Sequence, residues 1–234
     1  MQFLRRGLPA VPAVSLGLGI GLYGSVLPSA AQAAFTVISQ PDSAYTGSTN
    51  VFSLDGIADF DPVSTLALGT QALTFNKTLE KRTVLNNWAT WGSPPDTESA
   101  TPKIVFDESS SPLEMLLAET ATSFGFEVES SDFGVYNFEA EFYKDSLLVG
   151  SINRSVDGNA GARLLAASYA EGFTRVVLLS DPDAGGFALG QLRFGSAPNS
   201  NVPAPLPLLG AAAAFRCSRR IRKRMQLKTA SSNL

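Results

Sequence analysis

GVYNFEAEFY, residues 134–143, carries the clearest secondary-structure signal of this chain. Large apolar side chains alternate with polar ones, so that Phe138 and Phe142 fall on one face while Glu139 and Glu141 fall on the other. A period of two is typical of a β-strand with one buried and one solvated face. The stretch therefore predicts a half-buried strand.

Similar segments recur on both sides of this strand, and in the second half of the chain they follow one another every 10 to 15 residues, with Asp-, Asn- and Gly-containing turns between them. The further predicted strands are 51–54, 72–75, 103–106, 123–128, 147–152, 162–168, 173–179 and 187–194. LEMLLAE, residues 113–119, has helix-forming residues after Ser111 and Pro112, which favours a short helix there, with a strand as the alternative. The array predicts an all-β, antiparallel β-sandwich or jelly-roll-like domain.

Two tryptophans precede a segment that cannot be a central strand. Residues 92–102, GSPPDTESATP, contain three prolines and no apolar alternation, which predicts a loop. Trp88 and Trp91 stand just before it. Two neighbouring indoles either form a platform on which a sugar ring stacks or fill part of a core. They are the candidate ligand platform of this sequence.

The candidate metal site is the turn that begins at Ser180. Asp181 and Asp183, followed by Gly185 and Gly186, supply two carboxylates in a loop, and Ca²⁺ is bound by such hard oxygen ligands. The alternative is an ordinary turn, because Asp and Gly are also the residues that turns prefer. Calcium is the one cofactor that the sequence suggests.

Two carboxylate pairs at strand spacing invite comparison with glycosidases. Glu139 and Glu141 lie about 7 Å apart on one face of the predicted strand, and Glu127 and Glu129 repeat the pattern. Glycosidase carboxylates act from opposite sides of the scissile bond, so solvent-facing alternation is the favoured interpretation. The chain has no histidine, which excludes Ser-His-Asp and Cys-His catalysis and His-ligated zinc. We predict that the protein is not an enzyme.

Charge is segregated along the chain. Residues 34–200 hold all 21 acidic residues and nine of the 18 basic ones, a net charge of −12. Such a domain should repel nucleic acid, which requires surplus Lys and Arg. The single cysteine, Cys217, lies in the tail, so no disulfide forms within the domain.

The N-terminus has the form of a secretory signal peptide. Arg5 and Arg6 precede a long uncharged run, and Ala31 and Ala33 fit the small-residue rule for cleavage, which places the mature N-terminus near Ala34. The alternative is a retained transmembrane helix.

The C-terminus, NVPAPLPLLGAAAAFRCSRRIRKR at 201–224, places an uncharged run before a basic block. The run from Val202 to Phe215 is shorter than the roughly 20 residues that span a membrane, so we expect a short anchor. A basic cluster holds its end on the cytoplasmic side, and the alternative is a frayed tail of a soluble protein. The basic cluster acts as the stop that ends the anchor, and its residues are Arg216, Arg219, Arg220, Arg222, Lys223 and Arg224.

This arrangement resembles the PEP-CTERM sorting signal, with Ala204 where the family name has Glu. The motif residues are Val202, Pro203, Ala204 and Pro205. Residues 124–194 also loosely resemble the β-sandwich ectodomains found upstream of such signals. The resemblance implies an exosortase-type processing enzyme as partner, an inner-membrane precursor, and delivery to the surface or extracellular matrix of a Gram-negative bacterium.

The resulting expectation is a signal peptide at 1–33, an exported domain at 34–200, a sorting signal at 201–225 and a cytoplasmic tail at 226–234. We expect a structural or adhesive role in the envelope or matrix. The alternatives are a carbohydrate-binding module, with or without calcium, and a carboxylate-based glycan hydrolase.

Overall fold

A computed structural model describes residues 34–196, so the predicted signal peptide, sorting signal and cytoplasmic tail lie outside the described residues. This part of the chain has ten strands, one short α-helix and one 3₁₀ turn. The elements are β1 (Thr36–Ile38), α1 (Ser43–Ser48), β2 (Asn50–Val51), β3 (Pro62–Leu68), β4 (Gln71–Thr83), β5 (Lys103–Asp107), β6 (Leu113–Ser130), β7 (Val135–Lys144), β8 (Leu147–Asp157), β9 (Arg163–Ser180), the 3₁₀ turn (Pro182–Ala184) and β10 (Phe187–Gly195). The predicted all-β fold is confirmed.

All strand pairings are antiparallel, and the strand order is β2-β10-β5-β4-β6-β9-β7-β8, with β1 beside β9 and β3 beside β4. The two longest strands change partners along their length. The first half of β6 pairs with β4 and its second half with β10. The second half of β9 pairs with β7, whereas its first half pairs with β1. These changes let one continuous sheet fold into the two layers of a β-sandwich.

Aromatic side chains fill the space between the layers. The rings of Phe138 in β7 and Phe187 in β10 meet edge to face with centroids 6.0 Å apart, although these strands are not neighbours in the sheet. Phe142 and Phe173 extend the same core, with ring centroids 5.1 Å apart. Because each fully buried Phe contributes roughly 1.5–3 kcal/mol, this interior stabilises the domain without a disulfide. The alternation predicted for residues 134–143 is confirmed.

The predicted helix at 113–119 is wrong, because these residues form the start of β6. Leu113, Met115 and Leu117 are buried at every second position. Met115 lies opposite Phe75 of β4 on one side and Val176 of β9 on the other. Pairing on both sides of the strand outweighs the small free-energy differences of intrinsic helix propensity.

The predicted strands 162–168 and 173–179 are one strand, β9, which bends near Gly172. Gly172 has φ of +79°, a conformation that glycine adopts without strain. A Cβ atom there would meet Cγ2 of Thr120 on β6 at 2.2 Å. The glycine therefore lets β9 cross close to β6 where their register shifts.

Two further differences concern the first third of the domain. β1, α1 and β3 were not predicted, and of residues 51–54 only Val51 lies in a strand. The predicted loop at 92–102 is confirmed, since no strand or helix occurs there. Within residues 34–196 no helix is long and apolar enough to span a membrane.

Candidate functional site

The two tryptophans are buried, so the prediction of an exposed sugar-stacking platform is wrong. Trp88 is 8% exposed and Trp91 is 4% exposed. Both lie in the segment 84–102, which packs on the outer face of the sheet, and their apolar neighbours include Ile104, Phe106 and Ala188. The alternative interpretation, that the indoles fill a core, is confirmed.

Glu127 and Glu129 are also buried, contrary to the predicted solvent-facing alternation, and each accepts a hydrogen bond from an indole. Nε1 of Trp91 donates to Oε2 of Glu127 at 3.0 Å, and Nε1 of Trp88 donates to Oε2 of Glu129 at 2.7 Å. The backbone N–H of Glu98 donates to Oε1 of Glu127 at 2.6 Å. These bonds join the segment 84–102 to β6.

Burial sets the protonation of both carboxyl groups. Removal from water raises the pKa of Glu127 and that of Glu129 from 4.5 to about 7, although the indole hydrogen bonds lower the pKa. Each carboxyl group therefore keeps its proton to a higher pH than a solvated glutamate does. Because both are covered by the segment 84–102, they are not placed to act on a polysaccharide from solvent.

Arg193 of β10 and Glu98 form a bidentate ion pair beside Glu127. Nε of Arg193 lies 2.5 Å from Oε1 of Glu98, and its Nη2 lies 2.8 Å from Oε2. The Tyr45 hydroxyl of α1 is buried nearby, without a hydrogen-bond partner in the described part of the chain. Burial, and then the charge of Glu98, raise the pKa of Tyr45, so this phenol stays neutral.

A wide concavity lies beside α1. It has a volume of about 720 Å³ and is bounded by residues 34–40, α1 and the bends of β6 and β9. We call it the α1 groove. Most of its polar lining residues carry hydroxyl groups, namely Ser39, Tyr45, Ser48, Thr122, Ser123, Ser168, Tyr169 and Ser196. Asp42 is the one acidic residue among the described lining residues, and its Oδ1 already accepts the Tyr45 backbone N–H at 2.9 Å.

The predicted calcium residues form a local turn. Oδ1 of Asp181 accepts the backbone N–H of Asp183 at 3.2 Å and caps the 3₁₀ turn. Between residues 34 and 196, no three or more acidic, histidine or cysteine side chains cluster as metal ligands. The geometry is that of the alternative, an Asp-capped turn, and calcium binding here stays a prediction.

Glu139 and Glu141 lie half-buried on the outer face of β7. The Tyr143 hydroxyl donates to Oε2 of Glu141 at 2.7 Å, and Glu139 lies opposite Asn153 of β8. The two carboxylates are neighbours along one strand and do not face each other across a cleft.

The predicted cleavage residues Ala31 and Ala33, the motif Val202–Pro205 and the basic stop 216–224 lie outside the described residues.

Sequence reasoning missed the α1 groove, the Glu98–Arg193 pair and the burial of the glutamates. Glu127 and Glu129 alternate with Phe126 and Val128, which looks like any half-solvated strand. The available signal was the pair of tryptophans beside a proline-rich loop, since large aromatics outside a strand need a surface to cover.

The sequence matches no protein-family model and no curated protein. Among solved structures, the chain is similar to a family 29 carbohydrate-binding module from Piromyces equi, at 8% identity over 56% of this chain and 95% of that chain, with a TM-score of 0.29. A carbohydrate-binding module of Cellvibrio mixtus lichenase 5A, in complex with cellotriose, shows 10% identity over 64% and 97%, with a TM-score of 0.26. The enzymatically active domain of bacteriophage CBA120 tailspike protein 4 shows 15% identity to this chain, with a TM-score of 0.29. The match covers 54% of this chain and only 19% of the tailspike chain.

Proposed function

We propose that this protein is an exported, non-enzymatic β-sandwich that binds polysaccharide and is sorted through a PEP-CTERM-type signal. The observation that carries the binding function is the α1 groove. Its volume of about 720 Å³ falls within the roughly 300–1,000 Å³ of small-molecule sites. Its occupant is a short stretch of glycan.

The chemistry of the lining supports a sugar ligand. Hydroxyl groups both donate and accept hydrogen bonds, which matches the hydroxyl groups of a polysaccharide. Gln40 adds an amide that does the same, and Val37 and Ala170 add apolar surface for the C–H faces of the rings. The groove is thus mixed in polarity, with Asp42 as the one charged side chain among its described lining residues.

Binding is favoured over hydrolysis because the groove lacks a second carboxylate. Glycoside hydrolysis uses two carboxyl groups on either side of the scissile bond. Asp42 stands alone among the described groove residues and serves as the helix cap of α1. A protein that holds glycan without cutting it suits an adhesive role in an extracellular matrix.

The sorting part of the proposal rests on the sequence. The motif Val202–Pro205, the short uncharged run and the basic block 216–224 are the parts of the signal. With residues 1–33 as a signal peptide, the domain would be exported while the basic block stays cytoplasmic.

A substitution that fills the groove tests the binding function. Ala44 is exposed on α1 and lines the groove, so Ala44→Trp should block it without touching the core. Ser43 is exposed on the same helix but does not line the groove, which makes Ser43→Trp the matched control. The full chain is tested for retention by cellulose and chitin and for retardation in native gels that contain soluble polysaccharides.

We expect at least one polysaccharide to retain the unsubstituted protein and the Ser43→Trp variant, and Ala44→Trp to lose this retention. Reducing ends measured on the same polysaccharides should not increase. Retention by none of them would leave a purely structural role, and release of reducing ends would indicate an enzyme.

A further inference from the structure

A second, smaller pocket opens beside Trp88. It has a volume of about 180 Å³ and is walled by the end of β4, the segment 84–102 and the turn between β6 and β7. Phe133, in that turn, lines the pocket and is 69% exposed. Between residues 34 and 196, Phe60 is the only other phenylalanine with more than half of its surface exposed. A large exposed aromatic ring at a pocket is a feature that ligand sites share.

Arg82 presents hydrogen-bond donors to this pocket in a fixed orientation. Its guanidinium carbon lies 4.0 Å from the ring centroid of Phe106, and its Nε donates to Oε1 of Glu80 at 2.6 Å. The stacking and the ion pair hold the guanidinium in place. Its two terminal nitrogens have no hydrogen-bond partner among the described residues, so they are available to a ligand.

Asn87 and Thr90 add further polar groups. Oδ1 of Asn87 accepts the Thr83 backbone N–H at 2.7 Å, while its Nδ2 is buried without a partner in the described part of the chain. The Thr90 hydroxyl has only long contacts, at 3.3 Å to the Gly158 carbonyl and 3.4 Å to Glu129. Because these contacts are long, the Thr90 hydroxyl is free to turn toward a ligand oxygen, whereas the buried Nδ2 of Asn87 is out of its reach.

We propose that this pocket binds one neutral pyranose ring, as a second carbohydrate site that is independent of the α1 groove. The apolar face of the sugar packs on Phe133, and its hydroxyl oxygens accept hydrogen bonds from Arg82 and Thr90. A neutral ligand is favoured over an anion because Glu80 already offsets the charge of Arg82. The volume lies below the roughly 300 Å³ at which larger ligand sites begin, which suits a single ring.

Titration of the full chain with methyl glycosides of glucose, galactose, mannose and N-acetylglucosamine tests the proposal. The chain has two tryptophans, and Trp88 lines the pocket, so its fluorescence reports occupancy. We expect a saturable change with at least one glycoside. Phe133→Ala should weaken that binding roughly tenfold, the equivalent of about 1.4 kcal/mol for a lost aromatic contact. Phe60→Ala is the matched control, because its ring is 61% exposed and lies outside the pocket, and it should leave binding unchanged.

Two further variants separate this site from the groove. Arg82→Gln removes the terminal donors and should weaken glycoside binding, with the fold monitored by circular dichroism. Ala44→Trp, titrated by calorimetry because it adds a third tryptophan, should leave glycoside binding unchanged even where it abolishes retention by polysaccharide. The second site is overturned if no glycoside gives a saturable change, if Phe133→Ala binds as well as the unsubstituted protein, or if Ala44→Trp abolishes glycoside binding. Glycoside binding without any polysaccharide retention would refute the groove and leave this site standing.

Discussion

Glu127 and Glu129 show how the surroundings of a single residue decide its chemistry. On an exposed strand face each would be an ordinary solvated carboxylate. Here both are covered by the segment 84–102, and their main polar partners are indole N–H groups. Loss of hydration favours the neutral acid more than the hydrogen bonds favour the anion, which explains the pKa of about 7 for each group.

Stability should therefore fall as the pH rises from about 4.5 to about 7. The folded pKa of each group is raised above its unfolded value, so the folded state binds more protons in this window. The stabilising contribution is complete below the unfolded pKa and is lost as the pH passes through the folded pKa. Asp55 and Asp59 have lowered pKa values, so their contribution is lost only at pH values below this window.

Thermal unfolding should show a lower Tm at pH 8 than at pH 5. The double variant Glu127→Gln with Glu129→Gln should flatten this dependence, because its amides do not titrate. Glu139→Gln, on the outer face of β7, is the control and should keep the slope. A Tm that rises between pH 5 and pH 8 would contradict the assignment.

At the scale of elements, the bend of β9 decides which partners each half of the strand meets. Its first half pairs with β1 and the second half of β6, and its second half pairs with β7 and the first half of β6. The bend requires a residue with positive φ that also approaches β6 closely, and Gly172 meets both conditions.

Gly172→Ala should destabilise the domain more than Gly69→Ala does. Both glycines have positive φ, which costs an alanine about 1–2 kcal/mol. At Gly69, in the turn between β3 and β4, a Cβ meets nothing within 4 Å, whereas at Gly172 it meets Thr120 at 2.2 Å. Overpacking adds about 1–3 kcal/mol at Gly172. The free energies of unfolding of the two variants, measured in urea, give the difference. Equal values for Gly172→Ala and Gly69→Ala would show that β6 shifts to accommodate the added methyl group at no cost.

At the scale of the whole molecule, charge is distributed unevenly between the domain at residues 34–200 and the two ends of the chain. Nine of the 18 basic residues lie outside residues 34–200, whereas residues 34–200 hold all 21 acidic residues and have a net charge of −12. Within this acidic domain most basic side chains form ion pairs, such as Lys77 with Asp107 and Arg175 with Glu114. The unpaired acidic surplus favours solubility and disfavours contact with anionic lipid.

The mature protein should lack both ends. We expect it to start near Ala34 and to end near the segment Val202–Pro205, because the proposed function includes removal of a signal peptide and of a sorting signal. Intact-mass measurement on protein from the native cell surface checks this directly. Replacing Pro203 and Pro205 with Ala should leave an uncut precursor at the inner membrane, whereas Cys217→Ser should change little. A surface form that still carries residues 219–224 would contradict the sorting signal.

The sequence by itself determined the all-β class, because the alternation in 134–143 and the repeated turns are local signals that need no partner strand to be recognised. It also determined the excess negative charge of the domain and the exclusion of histidine chemistry, since both are matters of composition. The strand predicted at 187–194 likewise rests on a local pattern, and it corresponds to β10.

Tertiary structure alone decided the candidate sites. Residues 113–119 became a strand because two neighbouring strands pair with them, and Trp88, Trp91, Glu127 and Glu129 became buried because distant segments of the chain meet. The α1 groove and the Phe133 pocket are likewise assembled from separate parts of the sequence. The physical reason is that burial depends on what covers a residue from a distance along the chain, whereas a strand pattern records only the preference of each residue for one face.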